Sequence, residues 1–387
     1  MSHSFIWILA ASAFASTFSG RAVEPMVGVM ARDLGTTVET TALLSAAFTL
    51  PYALIQPILG PVGDAVGKER VMKICLAVLV AALLASVVAT DAPMLFALRI
   101  LAGAAAGGVI PLALALVGDR VDMASRQVAI SRFIAAAIVG QLAGSSLAGI
   151  LAEFIGWRGV FGVTTAMMVA ALIATVLGFR DAPAGSAFDL GKAVERYRVI
   201  LRNSRAQTLF ALVFVEALAV FGLFPYIAPL LESRGEGGAA EAGLVLAGFA
   251  VGGLLYSALL SWMLRVLGLR WMLVAGGVVA GSANLSLGLA GDWRLDAAAM
   301  VALGLGFYML HNSFQTQVTE IAPEARASAV AIHAFAFFVG QALGVVILGI
   351  GLRTAGLLPT MALAAAVILG VGLAAAAALT GPTQRPR

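Results

Sequence analysis

A few ionisable and amide side chains sit inside long apolar runs: Arg21, Glu24, Arg99, Glu216, His311, Asn312 and Gln315. A charge in hydrocarbon is expensive, so such residues normally face a bundle interior or water and mark ion or substrate paths. Arg21 and Glu24 are three apart and share one helix face. Counted at the helical rise, Arg21 lies about 24 Å from Phe5, and Arg99 falls at a compatible depth on another run. Two arginines beside one carboxylate form either an anion site or proton-coupled switch, or an ion cluster that joins helices. Glu216 is about 14 Å into its run with no cation within a turn. That suits a proton carrier, or otherwise the lining of a wet cavity or a pair with an arginine across it. In HNSFQTQ, His311 and Gln315 are four apart on one face with Asn312 beside them, a patch suited to substrate contacts. His311 and His333 both fall about 9 Å from the inner face, where an imidazole can sense or carry protons or simply pack. A metal site from Glu216, His311 and His333 has no ligand spacing behind it. Tyr52, Phe224, Tyr226, Phe307, Tyr308 and Phe335 offer ring faces for binding or for packing.

The elements that must hold these residues follow from composition. The 387 residues are 61% hydrophobic and 11% charged, with a mean hydropathy of +1.00. Soluble domains are about 45–50% apolar and about 25% charged, so the chain is read as an all-α membrane protein. Its single cysteine, Cys75, excludes an internal disulfide and a cysteine metal cluster. The opening MSHSFIWILAASAFAS has no preceding Lys or Arg, and its apolar run continues past residue 30. A first transmembrane helix is expected there rather than a signal peptide.

Apolar runs and their breakers predict twelve transmembrane helices, at 5–31, 40–60, 71–90, 94–117, 128–152, 158–179, 207–231, 241–264, 271–290, 296–319, 327–351 and 357–380. Segment 181–206, with Lys192, Arg196, Arg198, Arg202 and Arg205, is the one linker, part of it an amphipathic helix on the membrane. With the N-terminus inside, seventeen of the 24 Lys and Arg fall in inner loops and tail and five in outer loops. The positive-inside rule then places both termini in the cytoplasm. The basic residues sit in short loops, which is not a nucleic-acid signal.

The chain repeats itself. VGQLAG at 139–144 returns as VGQALG at 339–344, Pro25 as Pro225, and Phe48 as Phe249. Six helices followed by six similar ones in the same orientation form a parallel repeat. The expected organisation is therefore two pseudo-symmetric six-helix bundles, 1–180 and 207–387, joined by 181–206. Shared residues are mostly Gly, Pro and aliphatic, and describe packing. Gln141 and Gln341 hydrogen-bond across helices or into a cavity. The intramembrane ionisable residues do not repeat. They mark predicted helices 1, 4, 7 and 10 as lining a central pathway, with helices 3, 6, 9 and 12 peripheral.

At 60–70, GPVGDAVGKER resembles the loop signature of the major facilitator superfamily of secondary transporters, in Gly60, Asp64, Gly67, Lys68 and Arg70. In that family the loop latches the cytoplasmic side and helps the halves switch state, and Asp119 and Arg120 resemble its charged partners. The second-half copy, SWMLRVLGLR, keeps Gly268 and Arg270 but has Arg265 where Asp belongs. RILAGAAAG, 99–107, resembles the helix-4 signature, whose Arg is tied to proton transfer in proton-coupled members. GRAVEPMVGVMARDLG resembles the drug and sugar efflux (drug–proton antiporter) branch. The fifth-helix segment GQLAGSSLAG departs from that branch, with Ser145 at its Pro and Ala148 at a Gly, which weakens the case for proton antiport.

The resemblance implies the major facilitator fold and a secondary transporter of the cytoplasmic (inner) membrane. It would move a small organic or amphiphilic molecule by alternating access, as proton-coupled efflux, with uptake by proton symport the alternative. Protons are the expected coupling ion, the lipid bilayer its setting, and a monomer its state, with no cofactor. A membrane enzyme is the competing class. It lacks a Ser/His/Asp set or an HExxH, and the chain has no P-loop for ATP drive. Proton-coupling candidates are Glu216, Glu24, Arg21, Arg99 and His311. Substrate-cavity candidates are His311, Asn312, Gln315, Tyr226, Phe307, Tyr308, Gln141 and Gln341.

Overall fold

A computed structural model describes residues 3–179, 190–289, 291–321 and 326–379. Helix is the regular structure throughout, and no strand occurs among the described residues. This is what lipid demands, because a helix satisfies its own backbone polar groups. Ten helical stretches are long and apolar enough to cross a membrane.

The described residues divide into two compact units, Met1–Ala193 with Phe224–Gly243, and Val194–Leu223 with Leu244–Arg387. The first contains α1 (His3–Arg21), α2 (Val27–Asp33), α3 (Val38–Val66), α4 (Lys68–Val87), α5 (Ala92–Ala106), α6 (Val109–Arg120) and α7 (Met123–Gly178). The short helix α8 (Leu190–Leu201) follows, and then α9 (Ser204–Phe221) of the second unit. Next come α10 (Ile227–Arg234), which belongs with the first unit, and α11 (Ala239–Leu289), whose start does too. The second unit closes with α12 (Trp293–Ile321), α13 (Arg326–Thr354) and α14 (Leu357–Leu379). In the first unit α1 runs along α7, and α3 packs on α5. In the second, α9 packs on α13, α14 and α12. Within 181–206, where an amphipathic helix was expected, α8 is the helix present; residues 180–189 lie outside the described set.

Two of the apolar stretches, Val128–Gly178 and Ala239–Leu289, are each 51 residues long. A straight helix of that length would run about 77 Å, against a hydrocarbon core of about 30 Å. Each is broken at one glycine, Gly156 (φ 67°, ψ 168°) and Gly268 (φ 64°, ψ 175°). Positive φ at little steric cost is the property of glycine. Sequence reading placed multi-residue loops at both sites; a single residue makes each break instead.

The repeat is visible in contacts as well as letters. Pro25 is central in a 3₁₀ turn, Glu24–Met26, and Pro225 in its counterpart, Phe224–Tyr226. Proline donates no backbone N–H, so an α-helix is interrupted there. A Cβ on Gly140 would lie 2.3 Å from the Phe14 carbonyl oxygen, and one on Gly340 would lie 2.2 Å from that of Phe214. The glycines of the twin VGQ segments thus do the same thing: they let α7 touch the backbone of α1, and α13 that of α9. The four stretches predicted to be polar are also the best covered. Buried residues make up 61% of the most apolar part of Phe5–Asp33, Ala92–Arg120 and Trp293–Val318, and 78% for Ser204–Arg234, against 39–50% in the other six.

Candidate functional site

Each unit holds a buried polar cluster. In the first, Arg21 ends α1 and Glu24 opens the 3₁₀ turn. Arg21 Nη1 donates to Glu24 Oε1 at 2.6 Å, with both side chains buried. Ser145 Oγ of α7 donates to Glu24 Oε2 at 3.1 Å. One turn away on α7, the Gln141 amide faces the guanidinium. With its oxygen toward those donors it accepts from Arg21 Nη2 at 2.7 Å and from Nε at 3.0 Å. Gln141 is therefore a partner of Arg21, which is the cross-helix hydrogen bond its position suggested. Ser145, the departure from the efflux-branch signature, supplies the second partner of the carboxylate.

Arg99 on α5 is wholly buried. The sequence placed it near the carboxylate, and Glu24 is within electrostatic reach of it. Its hydrogen bonds instead go to main-chain carbonyls, Ser19 (3.0 Å), Gly20 (3.2 Å) and Leu44 (3.4 Å). The guanidinium also stands 4.3 Å from the Phe48 ring centroid, a cation–π contact. Ser19 and Gly20 lie in the last turn of α1, where carbonyls lose their helical partners. Arg99 fills that vacancy beside the Pro25 break, and helix C-termini favour cations.

The second unit is built differently. Glu216 of α9 has no exposure at all. Its Oε2 lies 2.9 Å from Nδ1 of His311 on α12. The other imidazole nitrogen, Nε2, is 3.4 Å from Gln315 Nε2, and Gln315 is exposed. Phe307 stacks on the imidazole at 4.8 Å, and Phe337 and His333 of α13 stand 4.8 Å and 5.3 Å from it. Asn312 Nδ2 donates to the Tyr256 hydroxyl at 2.7 Å, and Tyr308 stacks on Tyr256. Two buried polar atoms beside this chain, Glu216 Oε1 and His333 Nε2, have no hydrogen-bond partner. Gln341 is buried on α13. Tyr226 is buried in the first unit and is not part of this cluster. No group of three metal-ligating side chains occurs among the described residues.

Sequence reading put Glu216 near the midplane and His311 close to one face, so their pairing was missed. The helix ends explain it. Glu216 is twelve residues from the start of α9 and His311 ten from the end of α12, about 18 Å and about 15 Å of rise. The two reach one level. His333, read as a packing residue by preference, lies against this pair.

The loop between α3 and α4 carries a third constellation. Lys68 Nζ pairs with Asp119 Oδ2 at 2.6 Å, and Arg120 with Glu69, which is nearly buried. The Arg120 guanidinium also lies over the rings of Phe5 and Phe179. Gly67 (φ 101°) separates α3 from α4, and Arg70 is exposed on the first turn of α4. Gly60 and Asp64 lie in α3, but their side chains fall outside the described set. Glu69 was not picked out from the sequence, although its place inside GPVGDAVGKER was a signal.

The 3₁₀ breaks at Pro25 and Pro225 and the charged α3–α4 turn together frame the chain's identity. The sequence model of the Major Facilitator Superfamily matches residues 9–240. The chain belongs to the Major Facilitator Superfamily. Among relatives of this facilitator is a probable sugar efflux transporter of Mannheimia succiniciproducens, 25% identical over 207 residues, covering 53% of this chain and 50% of that protein. Another is the purine ribonucleoside efflux pump NepI of Escherichia coli, 23% identical over 272 residues, covering 70% and 67%. The chain thus matches about half the length of the first relative and about two thirds of the second. Its fold matches the crystal structure of a mutant of the nucleoside transporter NupG, with a TM-score of 0.79, 15% identity, and coverage of 97% of this chain and 100% of that one. The facilitator is thus a multi-pass membrane protein of a transporter family, and it resembles that family's efflux branch.

Proposed function

We propose that this facilitator exports a neutral, hydroxyl-bearing small molecule of the sugar or nucleoside kind, coupled to protons through Glu216 and His311. The relatives named as efflux proteins support the direction and the substrate class. The single observation that carries the coupling is the 2.9 Å contact between Glu216 and His311 at a site where Glu216 is fully buried. An isolated charge in such a place is expensive, whereas a carboxyl and an imidazole can hold one proton between them with no net charge. Adding or removing a proton changes the charge of a dry site, which ties proton exchange to the moments when water reaches it. Gln315, exposed beside the imidazole, is the point of access. Asn312 and Gln315 donate and accept hydrogen bonds to substrate, and Phe307 and Tyr308 present ring faces.

In this reading the chain crosses the inner membrane twelve times, the two 51-residue stretches counting twice each because of Gly156 and Gly268. Two six-helix bundles, 1–180 and 207–387, are joined by 181–206 and work as a monomer by alternating access. Both termini are cytoplasmic by the excess of Lys and Arg on that side. Arg21, Glu24 and Arg99 brace the first bundle, and the charged α3–α4 turn is the latch.

The test is flux in proteoliposomes with an imposed pH gradient, using radiolabelled sugars and purine ribonucleosides. Glu216→Gln is expected to abolish gradient-driven transport while retaining exchange of substrate against substrate and an unchanged melting profile. Normal gradient-driven transport by this variant would remove Glu216 as the carrier.

A further inference from the structure

We propose that one face of α8 is a docking site for anionic phospholipid, with Arg198 and Arg202 holding the headgroup phosphate and Val194, Tyr197 and Leu201 lying on the acyl chains. The spacing of Val194, Tyr197 and Leu201, at i, i+3 and i+7, gives one apolar stripe. Val194 and Leu201 are 46% and 45% exposed, while Ile200 on the neighbouring face is 3% exposed and packs inward. α8 therefore has a face spent on the protein and a second apolar face left outside. Arg198 and Arg202, four residues apart, flank that second face. The five side chains line a surface groove of about 390 Å³. A guanidinium is a planar fork that matches phosphate oxygens. Arg198 has an ion pair with Glu195 at 2.9 Å, with both side chains more than half exposed, and exposed pairs of this kind are weak enough to exchange.

Position decides between a lipid and any other anion. Asn203 Oδ1 accepts from the Arg205 and Ala206 backbone N–H groups at 2.9 Å and 3.4 Å and so caps α9. Gln207 Nε2 reaches back to the Leu201 carbonyl at 2.7 Å, and Arg205 Nη2 donates to Gln317 Oε1 of α12 at 2.6 Å. The end of α8 is thus tied to the first turn of the apolar stretch Ser204–Arg234. Arg202 is two residues from Ser204, a reach of about 7 Å at most. The groove is held at the water–lipid boundary, where an amphipathic helix with basic flanks binds anionic lipid. The surrounding sequence agrees: residues 190–205 hold Lys192, Arg196, Arg198, Arg202 and Arg205 against the single acid Glu195.

The experiment uses the full chain carrying Val194→Cys labelled with a polarity-sensitive fluorophore; the native Cys75 is buried and does not compete for label. The protein is reconstituted in phosphatidylcholine vesicles and in vesicles with increasing phosphatidylglycerol. Emission is expected to shift to shorter wavelength and rise about two-fold with phosphatidylglycerol. Each arginine near an anionic surface contributes about five-fold in affinity. Arg198→Gln with Arg202→Gln should therefore raise the half-maximal phosphatidylglycerol fraction at least five-fold, and Arg202→Gln alone at least two-fold. Inorganic phosphate at millimolar concentration, added to phosphatidylcholine vesicles, should give no shift. Equal emission in both vesicle types, an unshifted response in the arginine variants, or a shift with phosphate alone would each overturn the proposal.

Discussion

Gly103 and Gly304 allow the packing of the two units to be tested with one atom each. A Cβ built on Gly103 falls 2.0 Å from the Phe48 carbonyl oxygen and 2.9 Å from the Phe48 Cα. A Cβ on Gly304 meets Phe249 in the same way, at 2.0 Å from the oxygen and 3.0 Å from the Cα. Carbon–oxygen contacts across helices settle at about 3.3–3.6 Å. The obstructing atoms are backbone and cannot rotate away, so α5 must move from α3, or α12 from α11, by roughly 1.3 Å. Inserting one methyl into a packed interior costs about 1–3 kcal/mol, and more where nothing yields.

Each substitution, Gly103→Ala and Gly304→Ala, is accordingly expected to destabilise by about 3 kcal/mol. At roughly 2–4 °C per kcal/mol for units of this size, the melting temperature should fall by about 6 °C or more. The internal standard is Gly118→Ala in α6, where a Cβ meets nothing within 4 Å. There the helix preference for alanine should leave stability equal or higher by up to about 1 kcal/mol. The assay is thermal unfolding of the purified protein in one detergent, followed by size-exclusion fluorescence. The sign difference between the pair and Gly118 is what matters. If Gly103→Ala and Gly304→Ala melt together with Gly118→Ala, the close helix contacts are wrong. If only one of the two falls, the contact is not a property of the repeat.

Two further outcomes follow from the polar clusters. Ser145→Ala leaves a buried carboxylate oxygen of Glu24 without its donor and should destabilise by about 1–3 kcal/mol in the same melting assay; an unchanged melting temperature would mean that water already fills that role. Asp64→Asn should shift the balance between inward- and outward-open states at little change in stability, read from labelling of cysteines placed on the two faces. Lys68→Ala, which breaks a partly exposed pair with Asp119 worth at most about 1 kcal/mol, should do the same; unchanged labelling in both variants would refute the latch.

The sequence was most legible where physics leaves few choices. Apolar length forces helices, and some predicted stretches coincide with observed ones, as at Leu357–Leu379 against 357–380, whereas the loops expected at 153–157 and 265–270 are single-glycine breaks. The turn at Pro25 and its twin at Pro225 were readable as a repeat, though not as 3₁₀ turns. The Arg21–Glu24 pair followed from spacing alone. What resisted was anything requiring two helices to be set at one depth. Glu216 and His311 lie on helices whose ends a sequence reading misplaces by several residues, and each residue of displacement moves a side chain about 1.5 Å. The partners of Arg99 were illegible for another reason. Backbone carbonyls carry no signature in the sequence, so a guanidinium that serves them looks the same as one that serves a carboxylate.

The two clusters also differ in a way that bears on function. In the first unit, Glu24 receives a guanidinium and a hydroxyl, and Arg99 receives three carbonyls. In the second, Glu216 Oε1 and His333 Nε2 are buried and unsatisfied. A buried polar atom needs a partner, so these two atoms, beside the Glu216–His311 contact, are positions that a proton or a hydroxyl could meet. The two units otherwise pack alike at Gly103 and Gly304 and at Gly140 and Gly340, and the first unit does so with its charges paired. This asymmetry between otherwise repeated units is the reason for placing coupling on Glu216 and His311 and bracing on Arg21, Glu24 and Arg99.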